Sequence, residues 1–380
     1  MDTSRKQFFD NARRVIVKVG SGLLTSENGL NTKAIGSISR QISRLIDGGR
    51  EVVLVSSGAM AAGVRKIGLK RRPEELPRRQ AVSAVGQAGL IRAYEKAFGR
   101  YGKKVAQILL TGDGLTSRVR YLNARNTLYT LLDWQVVPII NENDTVSVEE
   151  IKFGDNDNLA AMITLLMNAD LLVNLTNIDG LYTADPRTDP DAQRIARVAS
   201  VTRKIEELAS GVPGVLNFGG MLSKVLAAKK VTAAGVPMVI ANGQNLNVLF
   251  KLFGGEDLGT FFSPQKHRMA SRKCWIGYTL KPKGAVRVDD GAAAALLRNG
   301  KSLLPSGVTG VEGDFNVGAP VSVKNSRSEV LAIGLANYSA ADVLKIMGLK
   351  TGQIKSRLGY KPYDEVIHRD NLAVTAEVDE

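Results

Sequence analysis

The sequence contains few residues suited to disulfide, zinc or histidine chemistry. Its 380 residues include one cysteine, Cys274, and two histidines, His267 and His368. A single cysteine excludes a disulfide framework within the chain, and so few Cys and His residues exclude a zinc site built from them. Catalysis centred on histidine is also disfavoured. An enzyme of this composition must work with Lys, Asp, Asn, Ser and backbone groups.

Long apolar runs are absent as well. No stretch approaches the ~18–20 apolar residues that a membrane-spanning helix needs. The first apolar run, VIVKVG, is short and is interrupted by Lys18, so it does not resemble the apolar core of a secretory signal. We therefore expect a cytoplasmic protein with no membrane partner.

Negative charge is scarce relative to positive charge. The chain has 51 Lys and Arg against 37 Asp and Glu, a net charge of +14. Residues 281–380 hold 13 basic and 12 acidic residues, so nearly all of the excess lies in residues 1–280. Part of it is the run from Lys66 to Arg79. This run is either a solvated loop or part of a field that favours anionic ligands, which would include a phosphorylated small molecule as well as RNA.

The first two thirds of the chain alternate between apolar strand-like runs and helical periodicity. The expected strands are 15–20, 52–57, 105–110, 136–141, 171–176 and 236–242. The expected helices include 32–46, 158–167 and 222–233. Strands that are apolar throughout are typical of sheets buried on both faces. This alternation predicts an α/β layer fold with a mainly parallel sheet, in which ligands bind beyond the carboxyl ends of the strands.

The pattern changes near Gly254, where a linker-like stretch rich in Gly, Ser and charge (254–272) begins, and short strand-like pieces separated by glycines follow it. The expected strands are 275–280, 285–288, 319–323 and 330–336, and a helix is expected over 290–299. Such short β units predict a small β-barrel-like second domain. The predicted boundaries are a first domain over 12–262, a linker over 263–275, the second domain over 276–358 and a tail over 359–380.

Several strand exits carry residues suited to anions. Lys18 lies within the first strand, and Gly20, Ser21 and Gly22 follow it. A lysine in a buried strand is costly unless it reaches an anion, and glycines let backbone N–H groups approach a phosphate closely. The second strand ends at Ser56, Ser57 and Gly58. The two serines either cap the helix that follows or help to hold a carboxylate or phosphate at its N-terminus.

Two dense Asn and Asp clusters lie within 18 residues. The first is Asn141-Glu142-Asn143-Asp144, and the second is Gly154-Asp155-Asn156-Asp157-Asn158. Turns need only one or two such residues. Carboxylates accept from an ammonium group while amides donate to a carboxylate, so the clusters suit a zwitterionic substrate. A remaining carboxylate could orient a lysine or hold Mg²⁺ through water.

A third anion-binding feature precedes a predicted helix. It reads Phe218-Gly219-Gly220-Met221-Leu222-Ser223-Lys224. Paired glycines before a helix form an anion cradle with the lysine one turn inside, although an interdomain turn is the alternative. The exit of the fifth strand, Thr176-Asn177, could place a nucleoside beside this cradle. Two lysines, glycine-rich anion sites and a polar pocket are the equipment of phosphoryl transfer.

These motifs resemble the amino-acid kinase family, and most closely its glutamate-phosphorylating members. The motifs are VKVGSG, SSGAMAAG, AVGQAGL, LNARNTL, PIINENDTV, KFGDNDNLAA, GLYTADPR and GGMLSK, within about Arg14 to Asp370. The stretch VDDGAAAALLRNGKSLLPSGV is similar to a PUA domain, a pseudobarrel known from RNA-modifying enzymes. The resemblance implies a three-layer α/β sandwich followed by this small β-rich domain.

The resemblance also implies roles for individual residues. Lys18 and Lys224 would stabilise the transferring phosphoryl group, and Asp157 would orient both lysines. The residues expected around the glutamate are Ser57, Gly58, Asn141, Asp144, Asp155 and Asn156. The residues expected at the nucleotide are Lys18, Gly20, Ser21, Thr176, Asn177 and the seven from Phe218 to Lys224. Family members often have Asp in place of Asn177 and Thr or Ser in place of Phe218.

The implied reaction is transfer of the γ-phosphoryl group of Mg-ATP to the γ-carboxylate of L-glutamate, the first step of proline biosynthesis. ATP and Mg²⁺ would be the cofactors, with Mg²⁺ held by phosphates and water and by no direct protein ligand. Proline is expected to inhibit near the glutamate site. The resemblance further implies a homodimer or homotetramer and a hand-off of product to glutamyl phosphate reductase.

Two alternatives stay open at this point. One is a related small-molecule kinase acting on aspartate or acetylglutamate. The other is an RNA-binding or RNA-modifying factor, suggested by the PUA-like domain and the high net charge. The net charge of only +1 over residues 281–380 counts against the second alternative, because RNA binding requires concentrated basic residues.

Overall fold

The computed structural model describes residues 3–26, 29–146, 155–210, 220–265, 269 and 271–376. The chain divides into two units, Met1–Arg268 and Met269–Glu380. Each unit has its own sheet. Among the described residues, no helix combines the length and apolarity needed to cross a membrane.

An eight-stranded sheet forms the centre of the first unit. Its strands are β1 (Arg14–Val19), β4 (Glu51–Ser56), β5 (Lys104–Leu110), β6 (Val136–Glu142), β7 (Leu171–Thr176), β8 (Arg197–Val198), β9 (Met238–Asn242) and β10 (Thr260–Phe262). A separate short pair consists of β2 (Thr25–Ser26) and β3 (Gly29–Leu30). The order across the sheet is β5-β6-β4-β1-β7-β9-β10-β8. Only the β9–β10 pairing is antiparallel among the described strand pairs of this sheet.

Helices cover both faces of this sheet. They are α1 (Thr3–Asn11), α2 (Ser21–Leu24), α3 (Thr32–Asp47), α4 (Ala59–Ile67), α5 (Leu76–Gly99), α6 (Arg118–Asp133), α7 (Asp155–Leu166), α8 (Arg203–Ser210), α9 (Met221–Ala233) and α10 (Val248–Phe253). One apolar core joins the sheet to side chains of α1, α3, α5 and α10. A second core joins the opposite face to α6, α7, α8 and α9. The predicted α/β layer fold with a mainly parallel sheet is confirmed.

The strand predictions hold within one or two residues, with one difference in burial. The β1, β4, β6 and β7 strands are buried nearly throughout, as their unbroken apolar sequences predict. The prediction that 105–110 is buried on both faces is wrong, because β5 is the edge strand and its residues are exposed or half-buried. An apolar run alone does not reveal whether a strand has a neighbour on both sides.

The parallel arrangement brings several chain segments to one edge of the sheet. The carboxyl ends of β1, β4, β6 and β7 lie side by side there. Helices α7 and α9 pack on one face of these strands through the second core. This edge therefore combines strand exits with helix N-termini, the usual position of ligand sites in open α/β sheets.

The second unit contains a five-stranded mixed sheet. Its strands are β11 (Gly284–Val288), β12 (Val308–Glu312), β13 (Pro320–Lys324), β14 (Val330–Leu335) and β15 (Leu372–Val374). Its helices are α11 (Ser271–Thr279), α12 (Asp290–Asn299), α13 (Ala340–Ile346) and α14 (Ile354–Leu358). The strand order is β12-β11-β13-β14-β15, with β11 and β13 parallel. Asp289 caps α12 by accepting from the Ala292 N–H at 2.6 Å, which helps the predicted helix to begin there.

The strand predicted over 275–280 is wrong, because these residues belong mainly to helix α11. The aromatic and β-branched residues of this segment favour a strand locally. In the structure Ile276 and Leu280 instead bury their side chains against Ala373 of β15. A Cβ atom on Gly277 would lie 2.9 Å from the Cβ of Ala373, so glycine permits this close packing. The strand β15 itself lies within the segment that the sequence suggested as a tail.

Candidate active site

A buried carboxylate joins the two lysines that the sequence singled out. Lys18 lies in β1, Asp157 in the first turn of α7 and Lys224 in the first turn of α9. Lys18 Nζ is 2.5 Å from Asp157 Oδ1, and Lys224 Nζ is 3.0 Å from Asp157 Oδ2. The three residues are 4%, 2% and 5% exposed, in chain order. The two ammonium groups therefore meet on one carboxylate at the edge of the sheet.

Two neutral donors complete the coordination of this carboxylate. Asn174 Nδ2 of β7 donates to Asp157 Oδ1 at 2.8 Å, and Ser223 Oγ of α9 donates to Asp157 Oδ2 at 2.6 Å. We call Lys18, Asp157, Asn174, Ser223 and Lys224 the lysine–aspartate cluster. Each oxygen of Asp157 thus has one ammonium and one uncharged partner, which is the condition under which a buried charge is tolerated.

The charges within this cluster shift the pKa values of its members. Burial strongly opposes ionisation of Asp157, but the positive charges of Lys18 and Lys224 outweigh it and hold the pKa of Asp157 well below its ordinary value. Burial lowers the pKa of Lys18; Asp157 opposes that change, and the like charge of Lys224 adds to it. The arrangement keeps the carboxylate ionised while Lys18 loses its proton more readily than an exposed lysine would.

A second, uncharged group of side chains lies next to the first. Asn156 Nδ2 is 2.8 Å from Ser57 Oγ and 3.0 Å from Asn141 Oδ1. We call Ser57, Asn141 and Asn156 the amide cluster. The Oδ1 atom of Asn156 is buried and has no hydrogen-bonding partner in the part of the chain that the structure describes. This cluster therefore presents a buried acceptor that a bound molecule could use.

Helix α7 positions both clusters through two consecutive residues. Neighbouring positions on a helix point about 100° apart. Asp157 accordingly reaches Lys18 on β1 and Asn174 on β7, while Asn156 reaches Asn141 on β6 and Ser57 after β4. The order β6-β4-β1-β7 places these partners along one continuous edge. The N-terminus of a single helix thus separates a charged half of the site from a neutral half.

Gly58 allows the chain to turn sharply between β4 and α4. Its φ is +109°, a left-handed conformation that favours glycine. It is the N-cap residue of α4. The turn leaves Ser57 Oγ beside Asn156, so Gly58 contributes to the amide cluster through its backbone conformation.

Asp144 lies outside the amide cluster. It is half-buried and begins a 3-10 turn after β6. Burial raises its pKa, and the proximity of Ser83, Arg72 and Arg79 opposes that rise. Asp144 thus lies near the basic run from Lys66 to Arg79, which the sequence predicts to be either a solvated loop or part of a field that attracts anions.

The residues predicted at the nucleotide fall on two sides of the lysine–aspartate cluster. A Cβ atom on Gly20 would lie 3.8 Å from Lys18 Nζ, and one on Gly22 would lie 3.3 Å from Asn177 Nδ2. Gly20 is the N-cap of α2, which begins at Ser21. Thr176, at the end of β7, precedes Asn177. These residues bring the exits of β1 and β7 together beside Lys18.

On the other side of the lysine–aspartate cluster, the residues predicted at the nucleotide are those at the start of α9. Gly220 O accepts from Lys224 Nζ at 3.4 Å and lies 2.9 Å from Ser223 Oγ, whose one proton goes to Asp157. Met221 and Leu222 pack against the second core of the first unit and anchor the helix. Phe218 and Gly219 lie outside the described residues. Asp155 begins α7.

Sequence reasoning missed one member of the lysine–aspartate cluster. Asn174 is completely buried in β7, whose other side chains up to Leu175 are apolar. A lone amide inside a strand predicted to be buried on both faces was the available signal, because such a group needs a partner. No group of three or more His, Cys, Asp or Glu side chains suited to a metal ion occurs among the described residues.

Comparison with known families matches both units. Residues 13–242 match the amino acid kinase family, and residues 284–358 match the PUA domain. A solved UMP kinase from Bacillus anthracis is similar over 66% of this chain and 96% of its own, with 18% identity and a TM-score of 0.46. That likeness is too low to carry an argument, and the family matches stand without it.

Full-length relatives give a closer comparison. A glutamate 5-kinase from Syntrophus aciditrophicus is 50% identical over 98% of this chain and 97% of its own. The glutamate 5-kinase of Geobacter sulfurreducens is 50% identical over 97% of this chain and 100% of its own. The glutamate 5-kinase of Caldanaerobacter subterraneus subsp. tengcongensis is 51% identical over 95% of this chain and 97% of its own. The chain belongs to the amino acid kinase family, within its glutamate 5-kinase branch, and carries a PUA domain.

Proposed function

We propose that this protein transfers the γ-phosphoryl group of ATP to the γ-carboxylate of L-glutamate, giving L-glutamyl 5-phosphate and ADP. The observation that carries the proposal is the meeting of Lys18 and Lys224 on Asp157. The names of relatives that are about 50% identical over nearly the full chain support the choice of glutamate. The product would supply proline biosynthesis.

The chemistry requires charge neutralisation more than proton transfer. A γ-carboxylate oxygen forms a bond to the γ-phosphorus, the bond from that phosphorus to the β–γ bridging oxygen breaks, and the electron pair leaves with ADP. The carboxylate is already ionised, so no general base is needed. The obstacle is repulsion between two anions, which the Lys18 and Lys224 ammonium groups offset from two sides. Asp157 orients both lysines without competing as a nucleophile, because each of its oxygens has two donors.

The amide cluster and its surroundings provide the glutamate pocket in this proposal. The unpartnered Oδ1 of Asn156 accepts from the substrate ammonium group, and the Ser57–Gly58 turn with Asn141 borders the same space. By the family resemblance, Asp144 and Asp155 would supply negative charge for the ammonium group; the side chain of Asp155 lies outside the described structure. An Asp144→Ala change should mainly raise the KM for glutamate, and an effect confined to ATP would mean that the two halves of the site are assigned the wrong way round.

The other half of the site would hold ATP. Gly20, Ser21 and the start of α9 at Gly220 to Lys224 would bind its phosphates, and Thr176 and Asn177 would border the nucleoside. The contribution of Phe218 and Gly219 belongs to the same proposal. Mg²⁺ would neutralise phosphate charge when bound. Asp157 does not suit it as a direct ligand, since both of its oxygens already bind lysines.

A substrate panel tests the activity directly. ATP-dependent hydroxamate formation should be measured in parallel with glutamate, aspartate and acetylglutamate, together with ADP release. We expect glutamate to be used far better than the other two. Preference for aspartate or acetylglutamate would support a related kinase, and absence of ADP release with all three would refute the proposal.

Proline inhibition and self-association complete the proposal. Proline carries the carboxylate and ammonium groups that the glutamate pocket recognises but lacks the γ-carboxylate that reacts. It should therefore raise the apparent KM for glutamate without acting as a substrate. Turnover that is insensitive to proline at every glutamate concentration would refute this extension.

The proposal also includes self-association of the chain. Sedimentation or light scattering should give a dimer or tetramer.

A further inference from the structure

Asn174 is a polar side chain in a strand where packing alone calls for an apolar one. It is completely buried in β7. The strand register pairs it with Lys18 of β1 on one side and Ile240 of β9 on the other. It shares the face of the sheet on which α7 and α9 pack, since its amide reaches Asp157 of α7. Asn174 therefore lies beside Lys18 on the face of the sheet that α7 and α9 cover.

The two oxygens of Asp157 have matching sets of donors, and Asn174 supplies one of these donors. Asn174 Nδ2 donates to Oδ1 at 2.8 Å, the oxygen that Lys18 Nζ approaches at 2.5 Å. On the opposite oxygen, Ser223 Oγ and Lys224 Nζ lie at 2.6 and 3.0 Å. Each ammonium group therefore shares its carboxylate oxygen with one uncharged donor.

The two ends of the Asn174 amide contribute differently to stability, because Nδ2 donates to the buried carboxylate of Asp157 while Oδ1 has no such role. The Oδ1 atom of Asn174 is buried and has no hydrogen-bonding partner among the described residues. A buried acceptor without a partner costs folding free energy, which offsets part of what the bond from Nδ2 to Asp157 contributes. The feature that sets Asn174 apart from the apolar residues around it is therefore its bond to the carboxylate that both lysines share.

We propose that Asn174 is a positioning residue for phosphoryl transfer, which holds Asp157 ionised and in place while Lys18 redirects its protons to the transferring group. This inference rests on the proposed function of the lysine–aspartate cluster. An ammonium group that serves two anions must weaken its bond to one of them as the other arrives. The Asn174 amide keeps Asp157 Oδ1 hydrogen-bonded through that change, so Lys18 is not drawn back to an oxygen left with a single donor.

The first test replaces the amide by an apolar group of similar size, Asn174→Leu. We expect kcat to fall about 10- to 100-fold, the range produced by losing a hydrogen bond to a charged group. The KM for glutamate should stay within about 2-fold, because the interaction acts on the transition state. The melting temperature should fall as well, because Asp157 loses a buried donor, so kcat is the readout that decides. A residue kept for structure alone would give a lower melting temperature with kcat unchanged, and that result would overturn the proposal.

Thr164→Val provides the matched control. Thr164 is a fully buried polar residue of α7 whose hydroxyl donates to Ala160 O within its own helix. It is also exchanged for an apolar side chain of similar size, but it has no contact with Asp157 in the described structure. Its kcat should equal that of the wild type.

A second variant, Asn174→Asp, makes the proposal testable by pH. Two carboxyl groups that share a site cannot both ionise easily, so the introduced group has a raised pKa. When protonated it can donate to Asp157 Oδ1 as the amide does, and when ionised it cannot. The ratio of its kcat to that of the wild type should therefore fall as the pH rises. A ratio near one at every pH would overturn the proposal. Wild-type activity with glutamate is measured in the same series, so its absence would refute the proposed function separately.

Discussion

The lysine–aspartate cluster and the amide cluster differ in how completely their hydrogen bonds are satisfied. Both depend on the first turn of α7, at Asp157 and Asn156. In the first, the carboxylate of Asp157 has four donors within the protein. In the second, Asn156 Oδ1 has no partner in the described chain. The donors of the charged cluster thus all come from the protein itself, while the neutral cluster keeps an acceptor for a substrate. This division suits an enzyme that fixes its catalytic charges and reads its substrate with neutral groups.

The largest effect should come from neutralising the centre of the charged cluster with Asp157→Asn. Both lysines would lose their counter-charge, so we expect kcat to fall by at least the ~10²–10³ that one lost stabilising group costs. Breaking a buried ion pair should also lower the free energy of unfolding by about 3–5 kcal/mol. Steady-state kinetics and denaturant unfolding at neutral pH would measure the two effects.

Asp170→Asn is the control for that change. Asp170 accepts from the Arg13 and Arg14 backbone N–H groups at the opposite end of the sheet, at 3.0 and 2.7 Å. It should lower stability with kcat preserved. If Asp157→Asn lost no more activity than this control, Asp157 would not be what holds the catalytic charges in place.

The neutral cluster should respond in KM instead of kcat. Asn156→Leu removes the open acceptor, and loss of a hydrogen bond to the substrate ammonium group should raise the KM for glutamate about 10- to 100-fold. Asn158→Leu, two positions along α7, is the control, because Asn158 bonds Lys230 and Met162 instead. A fall in kcat with an unchanged KM would place Asn156 with the catalytic charges.

The smallest effect should appear in the pH profile at high pH. The pKa of Lys18 is lowered, chiefly by burial, with Lys224 adding to the decrease. Since the protonated lysine is the active form, kcat should fall as the pH rises through a value below the ordinary lysine pKa of 10.5. The guanidinium group of Lys18→Arg does not titrate in this range, so the residual kcat of this variant should not fall at high pH. If kcat fell at the same pH in both proteins, the group that loses its proton would not be Lys18.

The sequence predicts the strands of the first unit well for a physical reason. Unbroken apolar runs such as Leu171–Thr176 have few alternatives to a buried strand, and their exits then share one edge. That reasoning places Lys18 at this edge, while the joining of Lys18 and Lys224 by Asp157 is what the resemblance to the amino-acid kinase family implies. The pairing of Asn156 with Ser57 and Asn141 was not predictable in detail, because it depends on the strand order β6-β4-β1-β7.

Errors arose where tertiary packing overrides local preference. The segment around Ile276 and Leu280 has strand-forming residues but is a helix, since its apolar face packs on Ala373, almost a hundred residues later. Asn174 escapes prediction because the apolar residues around it dominate the pattern of its strand, and its partner Asp157 comes from another element. Both cases involve a partner distant in sequence, which periodicity and composition do not reveal.

The measurement that tests the central claim most directly is the kcat of Lys224→Ala with saturating glutamate and ATP. Lys18 and Lys224 both bind Asp157. We propose that both positive charges stabilise the transferring phosphoryl group in the transition state. Turnover should fall about 10²–10³-fold in a protein that still folds and binds glutamate with little change in KM. Turnover equal to that of the wild type would show that the meeting of the two ammonium groups is not what drives the reaction.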